Sequence, residues 1–109
     1  MRRLSAPAAA TLKLFLDDPS REWFGRDIIR LAGIPSGSLY PILHRFEGRS
    51  ILASEWEDID VAVAAGRRPR RTYRLDNSLY AQMLYDEWAA AQRSKAPAPK
   101  MRPAPGGAT

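Results

Sequence analysis

The sequence predicts an α+β fold that is mostly α, and three features carry this prediction. Several segments repeat apolar residues at offsets of three, four and seven, which is the spacing of amphipathic helices. A short turn, Gly33-Ile34-Pro35, separates two of these segments. Two stretches with strand character, ILASEW and RRTYRL, come later and are separated by Gly66 and Pro69. Two helices joined by a short Gly-containing turn and followed by a β-hairpin make a winged helix-turn-helix.

The composition restricts the class of protein. The chain has 109 residues, no cysteine and one histidine, and its formal net charge is +5, from 17 Lys+Arg against 12 Asp+Glu. This length suits one domain with one modest core. The lack of cysteine excludes disulfide frameworks and Cys-based zinc sites, and no apolar run approaches the roughly 18 residues of a membrane span. The basic balance favours a polyanionic partner.

The first two helices are identified by their ends. The first is expected over residues 6–16, because Ser5 can cap it and Pro7 is tolerated in a first turn. The second is expected to begin near Gly25, after a short extended piece, and to close at Gly33, which suits the left-handed position that ends many helices. The residues expected to face the core are Ala8, Leu12, Phe15 and Leu16 from the first helix and Ile28, Leu31 and Ala32 from the second.

The third helix lies in PSGSLYPILHRFE, residues 35–47, and its spacing places Leu39, Ile42, Leu43 and Phe46 in the core. A cap at Ser36, Gly37 or Ser38 would put Pro41 in or just after the first turn, where a missing N–H costs little. The opposite face carries Gly37, Tyr40, Pro41, His44 and Arg45.

This opposite face presents hydroxyl, imidazole and guanidinium donors beside a helix N-terminus, which attracts anions such as phosphate. The second helix of a helix-turn-helix needs these groups in a DNA major groove. The alternative is a face that is only solvated. His44 is the only histidine, so the sequence indicates neither a metal cluster nor a His-based catalytic triad.

The hairpin is the second candidate contact surface. Its return limb, GRRPRRTYR at residues 66–74, holds five arginines and no acidic residue. Arginine suits bidentate phosphate contacts and insertion into a narrow minor groove. The outgoing limb carries four acidic residues that phosphates would repel, namely Glu55, Glu57, Asp58 and Asp60. We therefore expect the tip and the return limb of the hairpin to contact DNA.

The last helix is expected over residues 78–93, with Asp76 or Asn77 as its cap. It carries two apolar stripes, which are Leu79, Met83 and Ala90, and Tyr80, Leu84, Trp88 and Ala91. One stripe can pack on the first helix, and the other is expected to pair with a second copy of the chain. The alternative is that the first helix and Trp23-Phe24 cover both stripes within one subunit.

Two quoted segments carry a family resemblance. GSLYPILHRFE, followed by a hairpin that ends GRRPRRTYRL, closely resembles the PadR-like transcriptional regulators, and REWFGRDIIRLAGIPSG is similar to their short members. The resemblance covers about residues 10–76. It implies a homodimeric winged-helix repressor that binds a palindromic operator, with DNA contacts from the tyrosine of Leu-Tyr-Pro and from the wing arginines. These positions correspond to Tyr40, Arg67, Arg68, Arg70 and Arg71.

Three features depart from the family pattern. A glycine usually precedes the first wing strand, whereas this chain has Arg49-Ser50. The start of the last helix, residues 76–80, lacks the usual Thr and Gly. The long C-terminal helical domain of larger members is missing from this sequence, so their effector pocket and dimer arm are not implied.

The sequence therefore predicts a winged-helix DNA-binding domain over 1–76, a dimerisation helix over 77–94 and a disordered basic Pro/Ala tail over 95–109. The expected DNA-binding residues are Ser36, Gly37, Ser38, Tyr40, Pro41, His44, Arg45, Arg67, Arg68, Arg70 and Arg71. The expected dimer residues are Leu79, Tyr80, Met83, Leu84, Trp88 and Ala91.

The predicted function is sequence-specific transcriptional regulation in the cytoplasm, at the nucleoid, with double-stranded DNA and a second copy of the chain as partners. The alternative is a winged-helix protein-interaction module with only non-specific DNA affinity, because this fold also serves such contacts. An enzyme or a metal protein would need paired acid/base groups or ligand clusters, and the sequence offers none, so no catalytic activity, cofactor, metal or membrane partner is expected. The operator sequence, the target genes and any small-molecule effector are not indicated.

Overall fold

A computed structural model describes residues 4–95 and has the predicted class, helices with one small antiparallel sheet. The predicted tail, apart from Lys95, lies outside the described residues. The elements in chain order are α1 (Ala6–Asp17), β1 (Trp23–Phe24), α2 (Gly25–Ala32), α3 (Ser36–Gly48), β2 (Leu52–Trp56), α4 (Ile59–Ala64), β3 (Arg71–Leu75) and α5 (Ser78–Lys95).

The ends of α1 and α5 follow the expected capping chemistry. The Ser5 hydroxyl accepts a hydrogen bond from the Ala8 N–H at 3.2 Å, and Pro7 lies in the first turn of α1. The Asn77 side chain accepts a hydrogen bond from the Tyr80 N–H at 3.0 Å at the start of α5. Each contact satisfies one of the amide groups that a helix start leaves without a partner.

The turn between α2 and α3 also agrees with the sequence. Gly33 has φ 69° and ψ 27°, and its N–H donates to the Ile29 carbonyl at 2.9 Å, which ends α2. The expectation that Leu31 faces the core is wrong, because its side chain is 55% exposed. Ile28 is buried and Ile29 packs against the core, so the inward face of this short helix is centred between them and Leu31 lies outside it.

The start of α3 lies earlier than expected. Pro35 is the N-cap, in place of Ser36, Gly37 or Ser38, and its carbonyl accepts from the Ser38 and Leu39 N–H groups at 3.0 and 2.9 Å. Pro41 therefore lies in the second turn of the helix, beyond the first. Its missing N–H deprives the Gly37 carbonyl of the usual donor four residues on. Both residues are exposed, so water can reach that carbonyl.

The sheet has one strand more than the predicted hairpin. Its order is β1-β3-β2, with both pairs antiparallel. Trp23 pairs with Tyr73 on one side of β3, and Ser54 pairs with Tyr73 on the other. Because β1 leads directly into α2, this pairing fixes the N-terminus of α2 beside the wing.

The connection between β2 and β3 contains a helix that the sequence analysis missed. The Asp58 side chain caps α4 by accepting from the Asp60 N–H at 2.7 Å, so two residues of the predicted acidic strand and loop belong to a helix start. Gly66, with φ 73°, follows this helix. The wing is therefore a hairpin that carries a short helix near its tip.

The core lies where α1, α2, α3 and α5 meet the sheet. The apolar residues predicted for α3 are all buried in it, namely Leu39, Ile42, Leu43 and Phe46. From α5, Ala81 is buried, and Tyr80, Leu84, Tyr85 and Trp88 are partly buried against the core. The second stripe of α5 thus packs on its own subunit, whereas Leu79 is 84% and Met83 53% exposed.

Candidate nucleic-acid interface

The predicted contact residues of α3 share one exposed surface. All seven are exposed to solvent along the helix, from its first residue to Arg45 in its last turn, while the intervening apolar residues are buried. They are Ser36, Gly37, Ser38, Tyr40, Pro41, His44 and Arg45. The helix therefore has a free polar face of the kind that the sequence predicted.

Tyr40 is held in place by a close approach to α2. A Cβ atom placed on Gly25 would lie 2.5 Å from the Tyr40 Oη and 2.8 Å from its Cε1. Only a residue without a side chain allows the ring to lie there. Sequence reasoning missed this role of Gly25, although a glycine at the first position of a helix was visible in the sequence.

A cleft of about 300 Å³ opens between Tyr40 and the wing. Three arginines and no carboxylate line it, so the cleft can accept negative charge. Its rings and guanidinium groups come from Phe24, Tyr40, Trp56, Tyr73, Arg26, Arg70 and Arg71. The cleft joins the exposed face of α3 to the return strand of the wing as one continuous surface. Burial raises the pKa of the Tyr73 hydroxyl, so this group stays neutral.

Arg67 is bound by a carboxylate of the same chain. Its Nη2 lies 2.7 Å from Glu57 Oε2, and its Nη1 donates to Glu57 Oε1, which makes a bidentate pair. The hydrogen bonds from Arg67 lower the pKa of Glu57 to about 2, with a smaller contribution from the Arg70 backbone N–H, and the pKa of Arg67 is raised in turn. Glu57 is thus ionised and paired, although the sequence suggested only a repelling acid.

Arg70 lies between Glu57 and the cleft. Its guanidinium carbon is 3.8 Å from the centre of the Phe24 ring, and its Nη2 is 4.0 Å from Glu57 Oε2. Within residues 4–95, its buried Nε has no hydrogen-bond partner. Arg70 is therefore only loosely paired and keeps a free donor.

Arg71 is tied to α3 and β2. Its Nε donates to the Ser54 hydroxyl at 2.9 Å, and its Nη2 is 3.3 Å from Glu47 Oε2. The Ser54 hydroxyl also donates to Glu47, so the three side chains form one network. Among the described residues, the exposed Arg68 guanidinium makes neither a hydrogen bond nor an ion pair, which sets it apart from Arg67, Arg70 and Arg71.

Two structural features are absent from residues 4–95. None of the helices within residues 4–95 is long and apolar enough to cross a membrane. In the same range, no three acidic or histidine side chains lie close enough together to hold a metal ion.

No protein-family model matches the chain, and no curated protein is significantly similar to it in sequence. Solved structures do match. A PadR-like transcription factor from Bacteroides fragilis is 20% identical, with a TM-score of 0.61, and the alignment covers 80% of this chain and 84% of that one. A possible transcriptional regulator from Methanosarcina mazei is 12% identical, with a TM-score of 0.61 and coverages of 84% and 72%.

Bordetella bronchiseptica BpsR, whose DNA binding is regulated by 6-hydroxynicotinic acid, is 17% identical, with a TM-score of 0.62 and coverages of 93% and 70%. At such low identities, these likenesses establish the fold. The chain therefore has the winged-helix fold that these transcriptional regulators share.

Proposed function

We propose that this chain is a sequence-specific DNA-binding transcriptional regulator of the PadR-like type. One observation carries the proposal: the exposed polar face of α3 and the arginines of the wing lie on one surface, joined through the cleft beside Tyr40. A helix for the major groove and a flanking cationic hairpin are the two parts that a winged helix uses on a duplex.

In this proposal, α3 enters the major groove with its exposed face. Tyr40, His44 and Arg45 present donors to base edges, and Ser36, Gly37 and Ser38 approach the backbone at the helix N-terminus. Arg68 contacts phosphate or the adjacent minor groove from the wing tip. Base contacts would then come from α3 and sequence-independent affinity from the wing.

The regulator acts as a homodimeric repressor at a palindromic operator. The exposed Leu79 and Met83 on α5 support a second copy as the partner of this helix, and Trp88 and Ala91 lie further along it, each partly exposed. A two-fold axis would present two α3 helices to half-sites about 34 Å apart. The protein would accordingly work in the cytoplasm, at the nucleoid.

A second candidate function rests on a different observation. The wing exposes four large apolar side chains, from Trp56, Ile59, Val61 and Val63. Exposed apolar patches often mark protein contacts, so this surface favours a protein-interaction module with only non-specific DNA affinity.

Selection of bound duplexes from random DNA distinguishes the two functions. The regulator should enrich one sequence with inverted-repeat symmetry, and binding to it should weaken steeply with salt. A pool that stays random, with weak binding that disappears at moderate salt, would instead support the interaction module.

A further inference from the structure

We propose that Glu57 is a specificity-determining residue, which competes with DNA phosphate for Arg67 and so reduces sequence-independent affinity. This inference rests on the proposed DNA-binding function. It concerns the carboxylate itself, which lies on the outgoing limb of the wing, outside the predicted contact residues.

The geometry of the pair resembles that of an arginine bound to phosphate. Two parallel N–H···O bonds join the Arg67 guanidinium to both Glu57 oxygens, which is the fork that arginine also makes with phosphate. Glu57 also accepts the Arg70 backbone N–H at 3.3 Å. Without DNA, the carboxylate therefore occupies the position that a phosphate oxygen would take at Arg67.

The Glu57 and Arg67 side chains differ in exposure, so DNA can reach the arginine more easily than it can displace the carboxylate. The Glu57 side chain is 12% exposed and the Arg67 side chain 31% exposed. A DNA strand can thus reach Arg67, whereas Glu57 is fixed in the wing and stays beside it. A phosphate must displace the carboxylate, or bind beside its negative charge, before it can use this guanidinium.

The consequence falls mainly on non-specific binding. Random DNA depends on phosphate contacts, so a blocked arginine removes a larger share of its affinity. The base contacts proposed for α3 lie outside the Glu57–Arg67 pair and are not affected directly. The pair should therefore increase the ratio of operator affinity to random affinity.

Glu55, two residues earlier on the outgoing limb of the wing, provides a matched control. It is 68% exposed, and its oxygen is 4.0 Å from Arg74, with no contact to Arg67. The changes Glu57→Gln and Glu55→Gln each remove one negative charge from the outgoing limb of the wing. Because both variants have the same net charge, a difference in their DNA affinity must come from the loss of the carboxylate that binds Arg67.

The experiment measures the affinity of the full chain for a random-sequence duplex across a salt series. For Glu57→Gln, the slope of log affinity against log salt should become steeper by about 0.9, the value for one added phosphate contact. Random-duplex affinity at low salt should rise severalfold more than for Glu55→Gln, and the operator-to-random ratio should fall. The slope for Glu55→Gln should stay that of the wild type.

A second measurement follows the side chain itself. In the wild-type protein, the Arg67 guanidinium NMR signals should shift less than those of Arg68 when random duplex is added, because the Glu57 carboxylate keeps Arg67 from phosphate. This readout stays usable if Glu57→Gln fails to fold.

Equal effects of the two variants, weaker binding by folded Glu57→Gln, or wild-type Arg67 signals that shift as far as those of Arg68 would each overturn the inference. A wild-type protein that binds no duplex at low salt would instead refute the proposed function.

Discussion

At the residue scale, the contact between Gly25 and Tyr40 sets the geometry of the candidate interface. Gly25 is the first residue of α2, and Tyr40 belongs both to the exposed face of α3 and to the lining of the cleft. The missing side chain at position 25 thus decides where the Tyr40 hydroxyl lies. Gly25 can in this way control a side chain that is proposed to reach the bases.

The change Gly25→Ala should displace the Tyr40 ring. The added Cβ would lie 2.5 Å from the Tyr40 Oη, and the far end of that side chain is what must move. We expect a lower ratio of operator to random-duplex affinity, measured by fluorescence anisotropy, with folding retained. Gly48→Ala is the control, because its Cβ would meet nothing within 4 Å. Equal ratios for the two variants would contradict this role of Gly25.

Glu57 should make stability depend on pH in the acid range. Its pKa is about 2 in the folded protein against an ordinary value of 4.5, so the folded state binds this proton less readily than the unfolded state. The stabilisation is complete above pH 4.5 and is lost as the pH falls towards 2. The difference in unfolding free energy between wild type and Glu57→Gln, from urea titrations, should shrink over that window. A difference that stays constant would contradict the prediction.

At the element scale, the turn between α3 and β2 contains a strained residue. Ser50 has φ 60°, in the left-handed region, at the place where relatives suggested by the resemblance have a glycine. This conformation costs a residue with a Cβ about 1–2 kcal/mol. The departure from the family pattern at Arg49-Ser50 thus places a residue with a side chain in a left-handed conformation.

The change Ser50→Gly should stabilise the protein. Relief of the strain exceeds the added flexibility of the unfolded chain, so we expect a net gain of up to about 1 kcal/mol in urea unfolding. Gly66→Ser is the reverse control, because Gly66 has φ 73° and open space around its Cβ position. Gly66→Ser should lower the free energy of unfolding by a similar amount, up to about 1 kcal/mol. A destabilised Ser50→Gly would show that the serine side chain contributes something that outweighs its backbone strain.

The wing arginines should contribute unequally to DNA binding. Arg68 is exposed, whereas Arg70 and Arg71 already contact Phe24, Ser54 or Glu47. Arg68→Ala should reduce the magnitude of the salt slope by about 0.9, and replacement of Arg70 or Arg71 should reduce it less. Lys13→Ala, which removes a charge from α1, should leave the slope unchanged. A larger loss for Arg71 than for Arg68 would contradict this order.

At the scale of the whole molecule, α5 connects the core to the proposed dimer. Its half-buried side chains, such as Trp88, pack on the core of the same subunit, and Leu79 is the most exposed of its large apolar residues. Trp88→Ala would therefore disturb both the fold and the interface. Leu79 offers a cleaner test.

The change Leu79→Glu should separate the proposed dimer. An acidic residue in the first turn of α5 is favourable for the helix, so folding should be retained, while a charge in an apolar contact opposes association. Light scattering should give about 24 kDa for the wild type, twice the 12.2 kDa of one chain, and a mass near 12.2 kDa for the variant. Leu31→Glu, at another exposed leucine, should stay dimeric. A monomeric wild type that still binds its operator tightly would contradict the dimer.

Much of the fold followed from local rules. Ser5, Gly33 and Asn77 act within a few residues of chain, so the ends of α1, α2 and α5 were predictable. The buried and exposed faces of α3 followed from helical spacing alone, including the free side of Tyr40, His44 and Arg45. The short helix α4 was not predicted, because its six residues alternate small and branched side chains and show no clear helical period.

By itself, the sequence determined the helices, the turn between α2 and α3 and the residues that α3 exposes, because these depend on neighbours in the chain. Only the tertiary structure decided that β1 joins the sheet, that Gly25 accommodates Tyr40, and that Glu57 and Glu47 hold Arg67 and Arg71. These contacts join residues ten or more positions apart. The packing of helices on the sheet sets such distances and side-chain directions, and no local pattern records them.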